Sequence, residues 1–260
     1  MATVINTNMA SIYAQNNLSV AQGKLATSVQ RLSSGLRINS AKDDSAGLAI
    51  SMGMQSQIYG IDQAARNLSD VIGMAQVTET ALATIQDMLL RMKSLGTQAG
   101  NEALSSDQAA QITTEADAIV AQISLTRLEA VYNGIALVGD GTTSTYKVQS
   151  GVETDTTIDF VTADAAIVSD SSTFGGIDQD LLNISSERAK MGAMISRATY
   201  SAQNLQAQSA NLTSARSAIV DTDFASETAA LTKGQIMQQA ATAMLAQANQ
   251  MPNVILSLLK

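Results

Sequence analysis

The feature that most constrains this chain is an apolar residue that returns every seven positions through a long stretch without proline. The row contains Ile177, Ile184, Met191, Ala198, Leu205, Leu212 and Ile219. A seven-residue repeat keeps these side chains on one helix face, which favours long helices that pack along a narrow seam. At 1.5 Å per residue, a single helix through this stretch would be about 65 Å long.

Similar repeats predict further helices. The second row comprises Ile61, Leu68, Ala75, Leu82 and Leu89. Apolar residues at alternating gaps of three and four between Ala109 and Ala130 predict a shorter helix, with its N-cap at Ser106 or Asp107. Leucines near the start and apolar residues near the end predict two terminal helices; these residues are Leu18, Leu25, Leu32, Phe224, Leu231 and Leu245.

The pattern changes between about residues 133 and 176. Asn133-Gly134 and Asp140-Gly141 are turn dipeptides, and residues 143–148 and 156–161 alternate at a period of two. This pattern predicts a small insertion rich in β-hairpins. The expected fold class is therefore mainly α, with long coiled-coil-like helices that form an elongated rod.

The composition excludes several kinds of chemistry. The chain has no Cys and no His, so it contains no Ser-His-Asp or Cys-His catalytic system, disulfide or ordinary structural zinc site. We expect no enzymatic activity, no cofactor and no metal. The net charge of −8 disfavours nucleic acid as a partner, and no apolar run is long enough to predict a membrane span. Residues 1–8 lack the charged and apolar regions of a Sec signal, so we expect none.

The terminal segments are unusually polar for a helix seam. Amide side chains such as Gln15, Asn16, Gln22, Gln235 and Gln238 stand among the apolar positions. A pair of such helices buries too little surface to offset an ordering cost of about 1–2 kcal/mol per residue. We therefore expect the terminal segments to be disordered in the monomer and to fold on assembly.

Periodicity alone leaves the function open, because an intramolecular helical bundle, a filament subunit and an adaptor would all show these heptads. The motifs at both ends are more specific. Residues 4–8 read Val-Ile-Asn-Thr-Asn, and residues 31–44 read Arg-Leu-Ser-Ser-Gly-Leu-Arg-Ile-Asn-Ser-Ala-Lys-Asp-Asp. Residues 221–227 read Asp-Thr-Asp-Phe-Ala-Ser-Glu, and residues 245–252 read Leu-Ala-Gln-Ala-Asn-Gln-Met-Pro. In this order, these motifs closely resemble the two terminal regions of bacterial flagellins.

The resemblance implies a secreted structural subunit that polymerises into the extracellular flagellar filament for motility. It implies residues 1–42 and 219–260 as the two parts of an inner-tube helical domain and residues 43–218 as a helical rod domain. The inner-tube helices would polymerise through Ile5, Leu18, Leu25, Leu32, Phe224, Leu231, Leu245 and Leu258. The seam of the rod domain would contain Ile61, Leu68, Leu82, Leu89, Ile184, Met191, Leu205, Leu212 and Ile219.

The resemblance also implies partners. The chain would leave the cell unfolded through the flagellar type III channel, bind an export chaperone, and assemble beneath a filament cap next to hook-associated proteins. Arg91, Leu95 and Glu115 match residues with which the family contacts a Toll-like receptor of the host. The remaining alternatives are a hook-filament junction protein, which shares the terminal-helix plan, and a coiled-coil adaptor outside the flagellum.

Limited proteolysis of the monomer should remove about 40 residues from each end and leave a resistant core, because segments that fold only on assembly are open to proteases. Mass spectrometry of the digest locates the cleavage sites. Equal resistance along the whole chain would contradict this prediction.

Overall fold

The structure is a computed structural model that describes residues 7–139, 141–153, 155–166 and 174–258, with side chains described as far as Gln250. Within these residues lie five helices, in agreement with the predicted mainly α class. They are α1 (Met9–Ser34), α2 (Ser45–Ala99), α3 (Ser106–Glu129), α4 (Ile177–Val220) and α5 (Phe224–Leu258). The uninterrupted heptad row from Ile177 to Ile219 therefore lies in one helix.

Short strands lie among the described residues between α3 and α4, as the period-two pattern predicted. They are β1 (Val131–Tyr132), β2 (Ile135–Ala136), β3 (Val138–Gly139), β4 (Thr145–Gln149), β5 (Thr157–Val161) and β6 (Ala163–Asp164). Strands β1 and β2 pair antiparallel, β4 and β5 pair antiparallel, and β3 and β6 pair parallel. In the β4–β5 pair, Tyr146 lies opposite Phe160 and Val148 lies opposite Ile158.

The turn between β1 and β2 is the Asn133-Gly134 dipeptide that the sequence indicated. Both residues have positive φ, 48° and 80°, which is the backbone that a two-residue hairpin loop requires. The second predicted turn is described only in part, since Asp140 lies outside the described residues. Gly141 has a φ of 75°, a conformation in which a side chain would be strained.

Helix α3 begins one or two residues earlier than predicted, so the expected N-cap at Ser106 or Asp107 is wrong. The N-cap is Ser105, whose hydroxyl accepts a hydrogen bond from the Gln108 N–H. The Gln108 side chain in turn accepts a hydrogen bond from the Ser105 N–H. This reciprocal capping box stabilises the start of the helix. Ser105 can form it because a glutamine follows three residues later, which is not the case for Ser106 or Asp107.

The chain divides into two compact units. The first comprises Met1–Ser56 and Leu212–Lys260, and the second comprises Gln57–Asn211. The predicted domain boundaries at residues 42 and 218 remain a prediction.

The second unit is built on the contact between α2 and α4. Three side-chain contacts show that these two helices run antiparallel: Lys93 Nζ to Asp178 Oδ1 at 2.5 Å, Arg188 Nη2 to Glu79 Oε1 at 2.5 Å, and Ser209 Oγ to Asp62 Oδ1 at 3.1 Å. The seam between these contacts is apolar. Its residues at 2% exposure or less include Leu68, Leu82, Leu89, Ile184 and Met191.

The β region packs on the side of α2. The Tyr132 hydroxyl donates to Asp70 Oδ1 at 3.3 Å, and Asn67 Nδ2 donates to the Gln149 carbonyl at 3.0 Å. The Tyr132 ring lies against Gly73, where a methyl group would be 3.5 Å from the ring. Phe160 is fully buried, so β5 contributes an aromatic side chain to the core of this unit.

Adjacent leucines on α2 offer a matched test of the seam. Leu89 is fully buried, whereas half of Leu90 is exposed. Leu89→Ala should lower the free energy of unfolding by about 2–5 kcal/mol because it leaves a cavity. Leu90→Ala should change it by less than about 0.5 kcal/mol. Urea unfolding followed by circular dichroism at 222 nm measures both, and equal losses in the two variants would contradict this assignment of the seam.

Candidate assembly surface

Helices α1 and α5 pack against each other in antiparallel orientation within the first unit. Asn8 Nδ2 donates to the Ala248 carbonyl at 2.7 Å, and Ser11 Oγ donates to Asn249 Oδ1 at 3.0 Å. At the other end of the pair, Arg31 Nη1 lies 3.7 Å from Glu227 Oε2. The two helices therefore lie side by side along most of their length.

The contact between the two helices is built from small side chains. The buried residues of α1 are Ser11, Ala14, Ala21 and Ser28. On α5, Ala248 is buried, and a methyl group on Gly234 would lie 3.3 Å from the Leu25 side chain. Small side chains let two helix axes approach closely, but each buries little apolar area.

Six of the predicted polymerisation residues have side chains that the structure describes on α1 and α5. Five of them are half-buried: Leu18, Leu25, Leu32, Leu231 and Leu245. Phe224 is 56% exposed at the start of α5. Ile5 lies outside the described residues, and so does the side chain of Leu258.

Sequence reasoning missed the small residues that close the seam. They precede the leucines of α1 by four positions, so that Ala14, Ala21 and Ser28 alternate with Leu18, Leu25 and Leu32. The signal was present as a regular alternation of gaps of four and three. A search for large apolar residues alone passes over it.

A large part of the apolar surface of the pair remains uncovered. Among the described side chains of the two helices, the exposed large apolar residues are Met9, Ile12, Tyr13, Val20, Val29, Phe224, Ile236, Met237 and Met244. A groove of about 540 Å³ runs between the helices, and Tyr13, Met237, Met244 and several alanines line it. An exposed apolar area of this kind marks an interaction surface.

A short joint ties the end of α1 to the end of α4. Arg37 Nε and Nη2 donate to the Ile219 carbonyl at 3.2 and 2.5 Å, and the Arg37 N–H donates to the Val220 carbonyl at 2.6 Å. The Thr222 N–H donates to the Gly35 carbonyl at 3.0 Å, and Leu36 forms an antiparallel bridge with Asp221. The bonds from Arg37 satisfy carbonyls that the last turn of α4 leaves without intrahelical partners.

Asp43 stabilises the loop that follows the joint through hydrogen bonds to its carboxylate. Its carboxylate accepts hydrogen bonds from the Ser40 hydroxyl and from the N–H groups of Ser40 and Asn39. The Ser40 hydroxyl, followed by the two backbone N–H groups, holds the pKa of Asp43 below its ordinary value. Because its pKa is lowered, the Asp43 carboxylate stabilises the loop at pH values above the ordinary carboxyl pKa. This stabilisation is lost as the pH falls through the lowered pKa of Asp43.

The residues predicted for the seam of the rod domain lie in both units. Ile61, Leu68, Leu82, Leu89, Ile184, Met191 and Leu205 are buried in the second unit. Leu212 and Ile219 are half-buried and belong to the first unit. The heptad row of α4 therefore begins in the second unit and continues into the part of the helix that belongs to the first unit.

The three residues matched to a receptor contact have different environments. The Arg91 guanidinium donates to Glu115 Oε1 at 3.0 and 2.8 Å in an exposed ion pair between α2 and α3. Leu95 is 1% exposed and belongs to an apolar cluster with Ile112 and Ala116. The ion pair is thus on the surface, and Leu95 lies in the core.

In the part of the chain that the structure describes, none of the helices is long and apolar enough to cross a membrane. Nor do its acidic residues form a group of three or more that could hold a metal ion.

Comparison with known proteins identifies the family. The family model of the bacterial flagellin N-terminal helical region matches residues 5–143, and that of the C-terminal helical region matches residues 174–259. The chain belongs to the flagellin family. It is therefore a structural subunit of the bacterial flagellar filament, which serves motility. None of these matches favours the alternative of a junction protein or an adaptor.

Individual flagellins match almost from end to end. A flagellin of Halalkalibacterium halodurans is 36% identical over 272 residues, which cover 99% of this chain and 100% of the relative. A flagellin of Xenorhabdus nematophila is 33% identical, with 100% of both chains covered. Flagellin FlaB1 of Treponema pallidum is 32% identical, with 99% of this chain and 100% of the relative covered.

The joint should contribute to the stability of filaments of this flagellin. Arg37→Ala removes the two guanidinium hydrogen bonds to the Ile219 carbonyl, at a cost of about 1 kcal/mol. For a chain of this size, the filaments should dissociate about 2–4 °C lower in scanning calorimetry. Lys42→Ala, which removes an exposed cation a few residues away, is the matched control. If both variants dissociate at the same temperature, the proposed contribution of Arg37 is wrong.

Proposed function

We propose that this flagellin polymerises through the paired helices α1 and α5, which form the inner helical layer of the filament. The observation that carries this proposal is the row of exposed large apolar side chains on the pair, including Tyr13, Ile236 and Met244. In this proposal residues 1–42 and 219–260 belong to the inner layer, and residues 43–218 form the rod outside it.

The energetics of the pair support this role. Its seam is closed by Ala14, Ala21 and Ser28, each of which buries far less area than a leucine. Covering apolar surface contributes about 25 cal/mol per Å². Most of the stabilisation available to these helices therefore comes from surfaces that only neighbouring subunits can cover, which couples the order of the pair to assembly.

The same energetics suit export of an unfolded chain. Because the isolated pair is weakly stabilised, holding the ends of the chain unfolded costs little free energy. We propose that the subunit is secreted unfolded through the flagellar type III channel and that an export chaperone covers its terminal segments before assembly. A filament cap would then guide assembly, and hook-associated proteins would contact the adjoining end of the filament.

A host receptor is a further proposed partner. The ion pair of Arg91 and Glu115 offers an exposed charged surface between α2 and α3. Leu95 would act from behind that surface by holding α2 and α3 together, since it packs against Ile112 and Ala116. A Toll-like receptor would contact the ion pair.

Electron microscopy of seeded assembly tests the proposal. Purified monomer is mixed with short filament seeds, and filament length is measured over time for the wild type and Met244→Asn. The polar side chain on the exposed face of the pair should slow elongation several-fold, because it removes apolar area from the proposed interface.

Val161→Asn is the control, since Val161 is an exposed apolar residue of β5, which belongs to the second unit. It should elongate as the wild type does. Persistent small particles in the wild type would overturn the proposed polymerisation. Wild-type elongation by Met244→Asn would show that this face of α5 does not contribute.

A further inference from the structure

The charges of the terminal helices are few and are gathered in one place. Helices α1 and α5 together contain three basic residues, Lys24, Arg31 and Lys233, and one acidic residue, Glu227. The pair therefore has a net charge of +2 in a chain whose net charge is −8. All four charged residues line a single groove of about 570 Å³ between the helices.

The cations of this groove are incompletely paired. Arg31 lies 3.7 Å from Glu227, and its buried Nε has no hydrogen-bond partner among the described residues. Lys24 and Lys233 are exposed, and no carboxylate of the described residues forms an ion pair with either. The two exposed lysine ammonium groups thus offer donors to an anionic group from outside the chain.

The charged groove continues the apolar groove of the same helix pair. Met237 lines both grooves, so one surface passes from Tyr13 and Met244 at one end to Lys24 and Arg31 at the other. This continuity favours a partner of protein size over a small anion, because such a partner can cover apolar and charged parts together.

The chain itself carries the complementary charge. Outside the two helices it has 12 basic and 22 acidic residues. Within the first unit, Asp43, Asp44, Asp221 and Asp223 are exposed. Copies of an acidic chain repel one another at long range, so a positive groove on each copy provides a local attraction that selects the docking position.

We propose that the groove lined by Lys24, Arg31 and Lys233 binds carboxylates of a second copy of this chain and sets the position of that copy on the α1–α5 pair. This inference rests on the proposed polymerisation through the same helices. The apolar half of the surface supplies most of the binding free energy. The charged half fixes the position at which the second copy docks and raises the rate of association.

Cross-linking of assembled filaments tests the contact directly. Filaments are grown from an equal mixture of ¹⁴N and ¹⁵N monomer and treated with a carbodiimide, which joins a lysine amine to a carboxylate in direct contact. Mass spectrometry should find Lys24 or Lys233 joined to Asp or Glu of a copy with the other isotope. Cross-links of these lysines only within one copy, or none at all, overturn the proposal.

Neutralisation of the groove tests its effect on assembly. Lys24→Gln/Lys233→Gln should elongate from seeds several-fold more slowly than the wild type at low ionic strength. The difference should narrow as salt rises, since the screening length falls to about 10 Å at 0.1 M. Lys42→Gln, which removes an exposed lysine outside the groove, is the matched control and should elongate as the wild type does.

The outcomes separate this inference from the proposed function. A wild type that does not elongate refutes the proposed polymerisation. A wild type that elongates, together with a double variant of equal rate and equal salt dependence, overturns the charged groove and leaves the polymerisation intact. Circular dichroism of each monomer shows whether a variant has lost helix, and a double variant that loses helix is replaced by Lys233→Gln alone.

Discussion

The antiparallel packing of helices along narrow seams is the constraint on which each unit depends. In the second unit the seam contains large residues such as Leu68, Leu82 and Met191, so α2 and α4 bury enough apolar area to form a core. In the first unit the seam between α1 and α5 contains Ala14, Ala21 and Ser28. The same geometry thus produces a well-buried core in one unit and a weakly buried pair in the other.

This difference in side-chain size relates the fold to the function of a flagellin as a filament subunit. In the proposed assembly, one part of the subunit is stable alone and the order of the other part depends on neighbours, because binding to a neighbour stabilises the folded form. The exposed apolar residues of α1 and α5, and the charges gathered around Lys24 and Lys233, lie on the weakly buried pair. The joint at Arg37 holds the C-terminal end of α4 to the chain that leaves α1.

Much of the fold was predictable because its signals are local. Seven-residue repeats predicted the long helices, and Asn133-Gly134 predicted the turn between β1 and β2. The start of α3 was predicted one or two residues late, because the preference for Ser105 arises from its exchange of hydrogen bonds with Gln108. The small residues that alternate with the leucines of α1 were missed, since their importance depends on the distance to a second helix.

By itself, the sequence determined the helices, the small β region and, through its terminal motifs, the resemblance to flagellins. Periodicity and turn chemistry depend on residues close together in the sequence, so they can be recognised from the sequence alone. Only the tertiary structure decided the antiparallel register of α1 and α5, the bonds from Arg37 to the end of α4, and the groove that gathers Lys24, Arg31 and Lys233. These features join residues about two hundred positions apart, and such contacts depend on how whole helices pack.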